Sequence, residues 1–167
     1  IIAVGSTALV ARSVGAGDAK SAQTAMHQSL LLGAALCAAL MMLGFAFVDH
    51  LVALLGLHGD AAQFAARFMR FILTVLPAIM LEVIGIACFR GAGDTVAGLI
   101  IMLAVNVINV TISWSLVSGV EALGIPRLGW DGLAIGTSIG YAFAGLLVLA
   151  MLCRGRAGLR LRLGELR

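Results

Sequence analysis

Long uninterrupted apolar blocks, separated by short polar clusters, dominate the chain. Residues 24–48, 95–118 and 132–152 hold no Asp, Glu, Lys or Arg. A fourth block covers residues 64–89. It is led in by the amphipathic stretch 61–70 and carries one acid, Glu82, within 71–89. A membrane-spanning helix needs about 20 apolar residues, and each block reaches that length. A spanning β-strand would alternate over about ten residues. These blocks are continuous and rich in Leu and Ala, so helices are predicted. Residues 1–12 read as the end of a further, partial span. Ile1 falls inside an apolar run, which predicts that the chain is a fragment of a longer protein.

Composition sharpens this into a class. Apolar residues make up 62% of the chain and charged residues only 11%, against about 25% charged in soluble domains. So few charges cannot cover a water-facing surface of this size. Disorder, a soluble enzyme domain and a nucleic-acid reader are poor fits, and no nucleic-acid partner is expected. The predicted fold class is an all-α integral membrane bundle of four complete transmembrane helices plus the end of a fifth. Cys37, Cys88 and Cys153 lie in or at the end of apolar runs and read as packing. They and His27, His50 and His58 lack metal-ligand spacing, so neither a metal nor a cofactor is expected. No nucleophile–base pair or paired carboxylates occur at a usable spacing, which argues against an enzyme.

The connections repeat. Gly-Ala-Gly-Asp occurs at residues 15–18 and again at 91–94. Each glycine suits a left-handed helix C-cap, and Asp18 and Asp94 suit the N-cap of the helix that follows. One helical hairpin lies between the copies, so both fall on one side of the membrane. That side also holds Arg12, Lys20, Arg90, Arg154, Arg156, Arg160, Arg162 and Arg167. The other side holds Arg67, Arg70 and Arg127 with Asp49, Asp60, Glu121 and Asp131. The positive-inside rule therefore predicts cytoplasmic Gly-Ala-Gly-Asp loops and a basic cytoplasmic segment at 153–167 that touches anionic lipid.

Four features inside the spans are candidates for function. Glu82 lies eight residues before Arg90, about 12 Å along a helix and near mid-bilayer. A carboxyl there costs several kcal/mol unless protonated, paired or facing a wet cavity. It reads either as a proton-coupling or cation-binding group, or as a protonated acid bonded to a neighbouring helix. Pro77 frees the carbonyl of Leu73 and predicts a helix kink. Asn106, Asn109 and Ser113 fall within about 60° on one helical face; they suit a cation or substrate site, or interhelical hydrogen bonds. Gly132, Gly136 and Gly140, continued by Ala144, form a small-residue ridge for close helix packing, with Thr137 beside it.

Together these segments resemble the multidrug and toxic compound extrusion (MATE) transporters. Leu9-Val10-Ala11-Arg12-Ser13-Val14-Gly15-Ala16-Gly17-Asp18 is similar to the cytoplasmic end of that family's second helix. Pro77 with Phe89-Arg90-Gly91-Ala92-Gly93-Asp94-Thr95 resembles the fourth helix and its loop. Residues 106–119 resemble the fifth. Pro126-x-x-Gly129-Trp130-Asp131-Gly132-Leu133-Ala134-Ile135-Gly136-Thr137 resembles the outer loop and sixth helix. The resemblance implies that residues 1–167 are most of the N-terminal lobe of a twelve-helix, two-lobe protein. Its partners would be membrane lipid, the missing first helix and the C-terminal lobe. Its activity would be export of small cationic or amphiphilic molecules in exchange for Na⁺ or H⁺, by alternating access. Asn109, Ser113 and Gly119 match a fifth-helix spacing of the family, in which the middle position is Asp or Asn. Here it is Ser, which weakens a cation site built on an acid at that point. Thr137 matches a cavity-lining threonine, and Glu82 has no counterpart. A flippase of lipid-linked saccharides and a non-transporting membrane subunit are the alternatives.

Overall fold

A computed structural model describes residues 1–119, 124 and 126–161. Glu121, Arg162 and Arg167, used in the charge comparison above, lie outside them. The described chain forms five helices: α1 (Ile2–Gly15), α2 (Ala19–Leu54), α3 (Gly59–Gly91), α4 (Thr95–Ser118) and α5 (Trp130–Cys153). A tight turn follows at Arg156–Gly158. By length and composition, α2 to α5 can each cross a membrane. At 1.5 Å per residue, α2 and α3 reach roughly 54 and 50 Å, well beyond a hydrocarbon layer of about 30 Å. The chain is a multi-pass membrane protein. Large apolar side chains point outward along every span, among them Leu43, Leu99, Val110 and Leu146. In lipid, such faces cost nothing.

Inside the bundle the packing relies on small residues. A Cβ on Gly91 would lie 2.7 Å from the Thr7 carbonyl oxygen, so α1 and α3 touch almost backbone to backbone. The Thr7 hydroxyl donates to the Ala87 carbonyl across the same contact, at 3.0 Å. Ala78 meets Gly145, and Gly85 lies under Val148, which sets α5 parallel to α3. Such close approaches maximise dispersion where lipid removes any hydrophobic drive. Val10, Met26, Ile84, Phe89, Ile101 and Val148 fill the core between them.

Both Gly-Ala-Gly-Asp corners fold the same way. In the first, the Gly17 amide donates to the Val14 carbonyl and the Asp18 amide to Ser13. In the second, Gly93 donates to Arg90 and Asp94 to Phe89. This is a Schellman ending, with Gly17 (φ 72°) and Gly93 (φ 86°) as the left-handed residues. The expectation for the other two glycines is corrected: Gly15 and Gly91 are the last residues of α1 and α3. Gly91 is small because α1 presses on it, and nothing lies within 4 Å of a Cβ on Gly15. Asp18 and Asp94 then cap α2 and α4, accepting from the amides of Ser21 (3.0 Å) and Ala97 (2.9 Å).

The corner carboxylates hold their protons poorly. The Ser21 hydroxyl and amide lower the pKa of Asp18, and the Arg156 guanidinium and the Ala97 amide lower that of Asp94. A carboxylate with a depressed pKa contributes stability above its ordinary value of 3.8, lost as pH falls through the lower folded value. Both corners are therefore intact at neutral pH. Asp94→Ala removes a cap and an ion pair, whereas Asp18→Ala removes only a cap and its serine contact. Thermal melts at pH 7 are expected to show the larger loss for Asp94→Ala; equal losses would mean the ion pair adds nothing.

At the opposite end, Arg70 pairs with Asp49 and Arg67 with Asp131, each at 2.9 Å. Arg67 also lies 4.9 Å over the Phe64 ring. These pairs tie α2 to α3 and α3 to α5, so the charges that informed the orientation also link helices.

Candidate functional site

The five polar candidates lie on three helices: Glu82 on α3, Asn106, Asn109 and Ser113 on α4, and Thr137 on α5. Asn109 and Ser113 lie on α4 in the seam with α5. A Cβ on Gly136 would sit 2.7 Å from both the amide nitrogen and the Cα of Ser113. One on Gly140 would sit 3.2 Å from the Asn109 Cβ, and one on Gly132 2.7 Å from the Leu116 carbonyl carbon. The polar stripe and the glycine ridge are thus two halves of one interface. Ser113 is buried, and its hydroxyl has no hydrogen-bond partner among the described residues. Asn106 is exposed and its amide donates to the Met102 carbonyl at 2.7 Å, satisfying its own helix.

Glu82 lies on a different helix, α3. Ala78, Glu82 and Gly85 share one face of α3 by their i, i+4, i+7 spacing. Ala78 and Gly85 both meet α5. Glu82 is 7% exposed and makes no hydrogen bond or ion pair among the described residues. On α5, Thr137, Ala144 and Val148 share a face by their i, i+7, i+11 spacing, and Val148 is the residue that meets α3. Thr137 is therefore on the side of α5 that meets α3, turned from the ridge that meets Ser113 and Asn109.

Pro77 sits inside α3, which continues through it as one helix of 33 residues. It is exposed in a groove between α2 and α3, with Gly33, Cys37, Met80, Ile84 and Leu161 along the walls. Cys37 and Cys88 are buried, as a packing role requires. Cys153 is exposed at the end of α5, so packing does not account for it. No group of His, Cys, Asp and Glu able to hold a metal occurs among the described residues.

Among the contacts that sequence reasoning missed, one joins the two ends of the α4–α5 hairpin. Arg156, read only as part of a basic segment, reaches Asp94 with Nε 2.6 Å from Oδ2. The partners are 62 residues apart, and no local pattern links them.

A model of the MatE family matches residues 1–115. The chain belongs to the MatE family. Curated relatives of this MatE chain include a protein of Shewanella oneidensis described as an FAD transporter. It is 29% identical over 143 residues, which cover 86% of this chain and 31% of the relative. A protein of Thermotoga maritima described as probable multidrug resistance protein NorM is 25% identical, over 94% of this chain and 34% of its own length. The MatE chain therefore spans about a third of the length of either relative. Among solved structures, an outward-facing multidrug resistance MATE family transporter of the MOP superfamily superposes with a TM-score of 0.88 at 22% identity. The match covers 99% of this chain and 36% of that one. An inward-facing structure superposes at 0.81 with 24% identity, over 90% and 33%. These two show the MATE fold.

Proposed function

We propose that this chain is part of a secondary active transporter that exports small cationic or amphiphilic molecules in exchange for Na⁺ or H⁺. Glu82 carries the reading: an acid 7% exposed within an apolar span, without an ion pair among the described residues, in a bundle of a transporter family. Intramembrane acids are costly and mark ion or substrate pathways. In this reading Glu82 takes up the coupling ion, with Thr137 on the same side of α5. Asn109 and Ser113 pack α4 against the glycines of α5, and Asn106 faces outward toward substrate or the rest of the protein. The Gly-Ala-Gly-Asp corners and the segment from 153 onward face the cytoplasm, supported by the charge distribution. The first helix and C-terminal lobe of a twelve-helix protein complete the pathway. Solved inward- and outward-facing relatives support alternating access.

A second reading, export of a flavin dinucleotide, is favoured by the relative described as an FAD transporter. The charge of the spans favours a cation. Residues 71–89, 95–118 and 132–152 hold no Lys or Arg, while Arg67 and Arg70 are already paired. Everted vesicles containing the full-length transporter distinguish the two. With an imposed Na⁺ or H⁺ gradient, accumulation of ethidium is expected and accumulation of FAD is not. FAD alone would establish the second reading, and neither would reject both.

A further inference from the structure

The two corners share one turn but differ in what their capping carboxylates meet. Asp18 turns its oxygens to Ser21, to the amide at 3.0 Å and the hydroxyl at 2.6 Å. Asp94 gives Oδ1 to the Ala97 amide and turns Oδ2 to Arg156, with Arg156 Nη2 3.5 Å from Oδ1. The segment carrying Arg156 has a contorted backbone. Gly155 (φ 77°), Ala157 (φ 56°) and Gly158 (φ 76°) all take left-handed conformations, and Ala157 does so with a Cβ. Such a residue persists only where its surroundings over-determine it.

Those surroundings are few and identifiable. Leu159 is 1% exposed and belongs to the core. The Leu161 amide donates to the Leu152 carbonyl at 3.0 Å, and the Leu161 side chain lines the groove between α2 and α3. Residues 154–161 therefore run as a strap from the end of α5, past the α4 corner, to the α2–α3 groove. The Asp94 and Arg156 side chains are 19% and 35% exposed, so water reaches the pair and it can open. Among the described residues no such strap crosses the first corner, although its turn is the same.

We propose that the Asp94–Arg156 pair is a latch. Closed, it seats residues 154–161 across the corner end of the bundle; opened, it frees that strap during the transport cycle. The second part rests on the transporter reading above. The bonding pattern allows a clean dissection. The cap of α4 uses Oδ1 and the short arginine bond uses Oδ2, so Asp94→Asn keeps the cap and loses the charge.

Hydrogen exchange, read by mass spectrometry on the full-length transporter in sealed liposomes, tests both parts. At rest, Asp94→Asn and Arg156→Gln are each expected to speed exchange of residues 155–161 by about tenfold, the scale of a lost charge-assisted hydrogen bond. The double variant is expected to be no faster than either single one. Asp18→Asn is expected to leave the strap unchanged, and the first turn of α4 stays protected in Asp94→Asn. In the wild type, an ion gradient with ethidium is expected to speed strap exchange, and Asp94→Asn is expected to show no further rise. Unchanged exchange in Arg156→Gln, or additive effects of the two substitutions, would overturn the latch. Equal wild-type exchange at rest and under turnover would overturn its opening in the cycle. A wild type that moves no ethidium but keeps the mutational pattern would reject the transporter reading and leave the latch standing.

Discussion

Gly136→Leu is expected to lose the folded bundle, while Ser113→Ala, its neighbour across the seam, is expected to leave stability unchanged or raised. The reason is what each atom meets. A Cβ on Gly136 would sit 2.7 Å from the backbone nitrogen and Cα of Ser113, and backbone cannot rotate away as a side-chain tip can. Even alanine forces α4 and α5 apart. Overpacking costs about 1–3 kcal/mol in ordinary cores, and leucine here exceeds that because the seam extends through Gly132 and Gly140. The Ser113 hydroxyl is buried with no partner among the described residues, so deleting it removes a desolvated group and no hydrogen bond. Thermal melts in detergent distinguish the two. A cation site at Ser113 predicts the reverse pattern for transport, with Ser113→Ala inactive although folded.

Glu82→Gln is expected to fold as well as the wild type, or better, and to lose ion-driven export by at least about tenfold, which is roughly 1.4 kcal/mol of coupling. Glutamine keeps the shape and the polar end while removing the charge that burial makes costly. A purely structural acid predicts a change in melting temperature with transport intact. Glu82→Asp retains an ionisable group one methylene shorter and is expected to keep part of the activity.

Much of the architecture was legible because it depends on local pattern. The expected spans at 95–118 and 132–152 end within two residues of α4 and α5. Asp18 and Asp94 cap the helices that the repeated tetrapeptide placed them before. In both, the decisive interaction lies within four residues. Around the predicted spans at 24–48 and 64–89, the helices α2 and α3 extend further at both ends, through polar residues that hydropathy leaves out.

Contacts between distant segments were not legible. The stripe on α4 and the ridge on α5 were each visible, but their interlocking depends on register between helices, so the sequence left the stripe open between a ligand site and interhelical bonding. Gly91 resembled a cap residue because its neighbour Gly93 is one; only the approach of Thr7 explains it. Arg156 was one arginine among several in a basic run, and its pairing with Asp94 follows from how the chain returns after α5. Spacing alone predicts mid-membrane depth for Glu82, but that Ala78 and Gly85 on its face of α3 meet α5 needed the packing.

The most direct test is gradient-driven ethidium export by the full-length transporter reconstituted in liposomes, compared for wild type, Glu82→Gln and Ser113→Ala. Export that follows an imposed Na⁺ or H⁺ gradient in the wild type and in Ser113→Ala, and that no longer responds in folded Glu82→Gln, is the predicted result. Gradient-driven export at the wild-type rate in Glu82→Gln would contradict it.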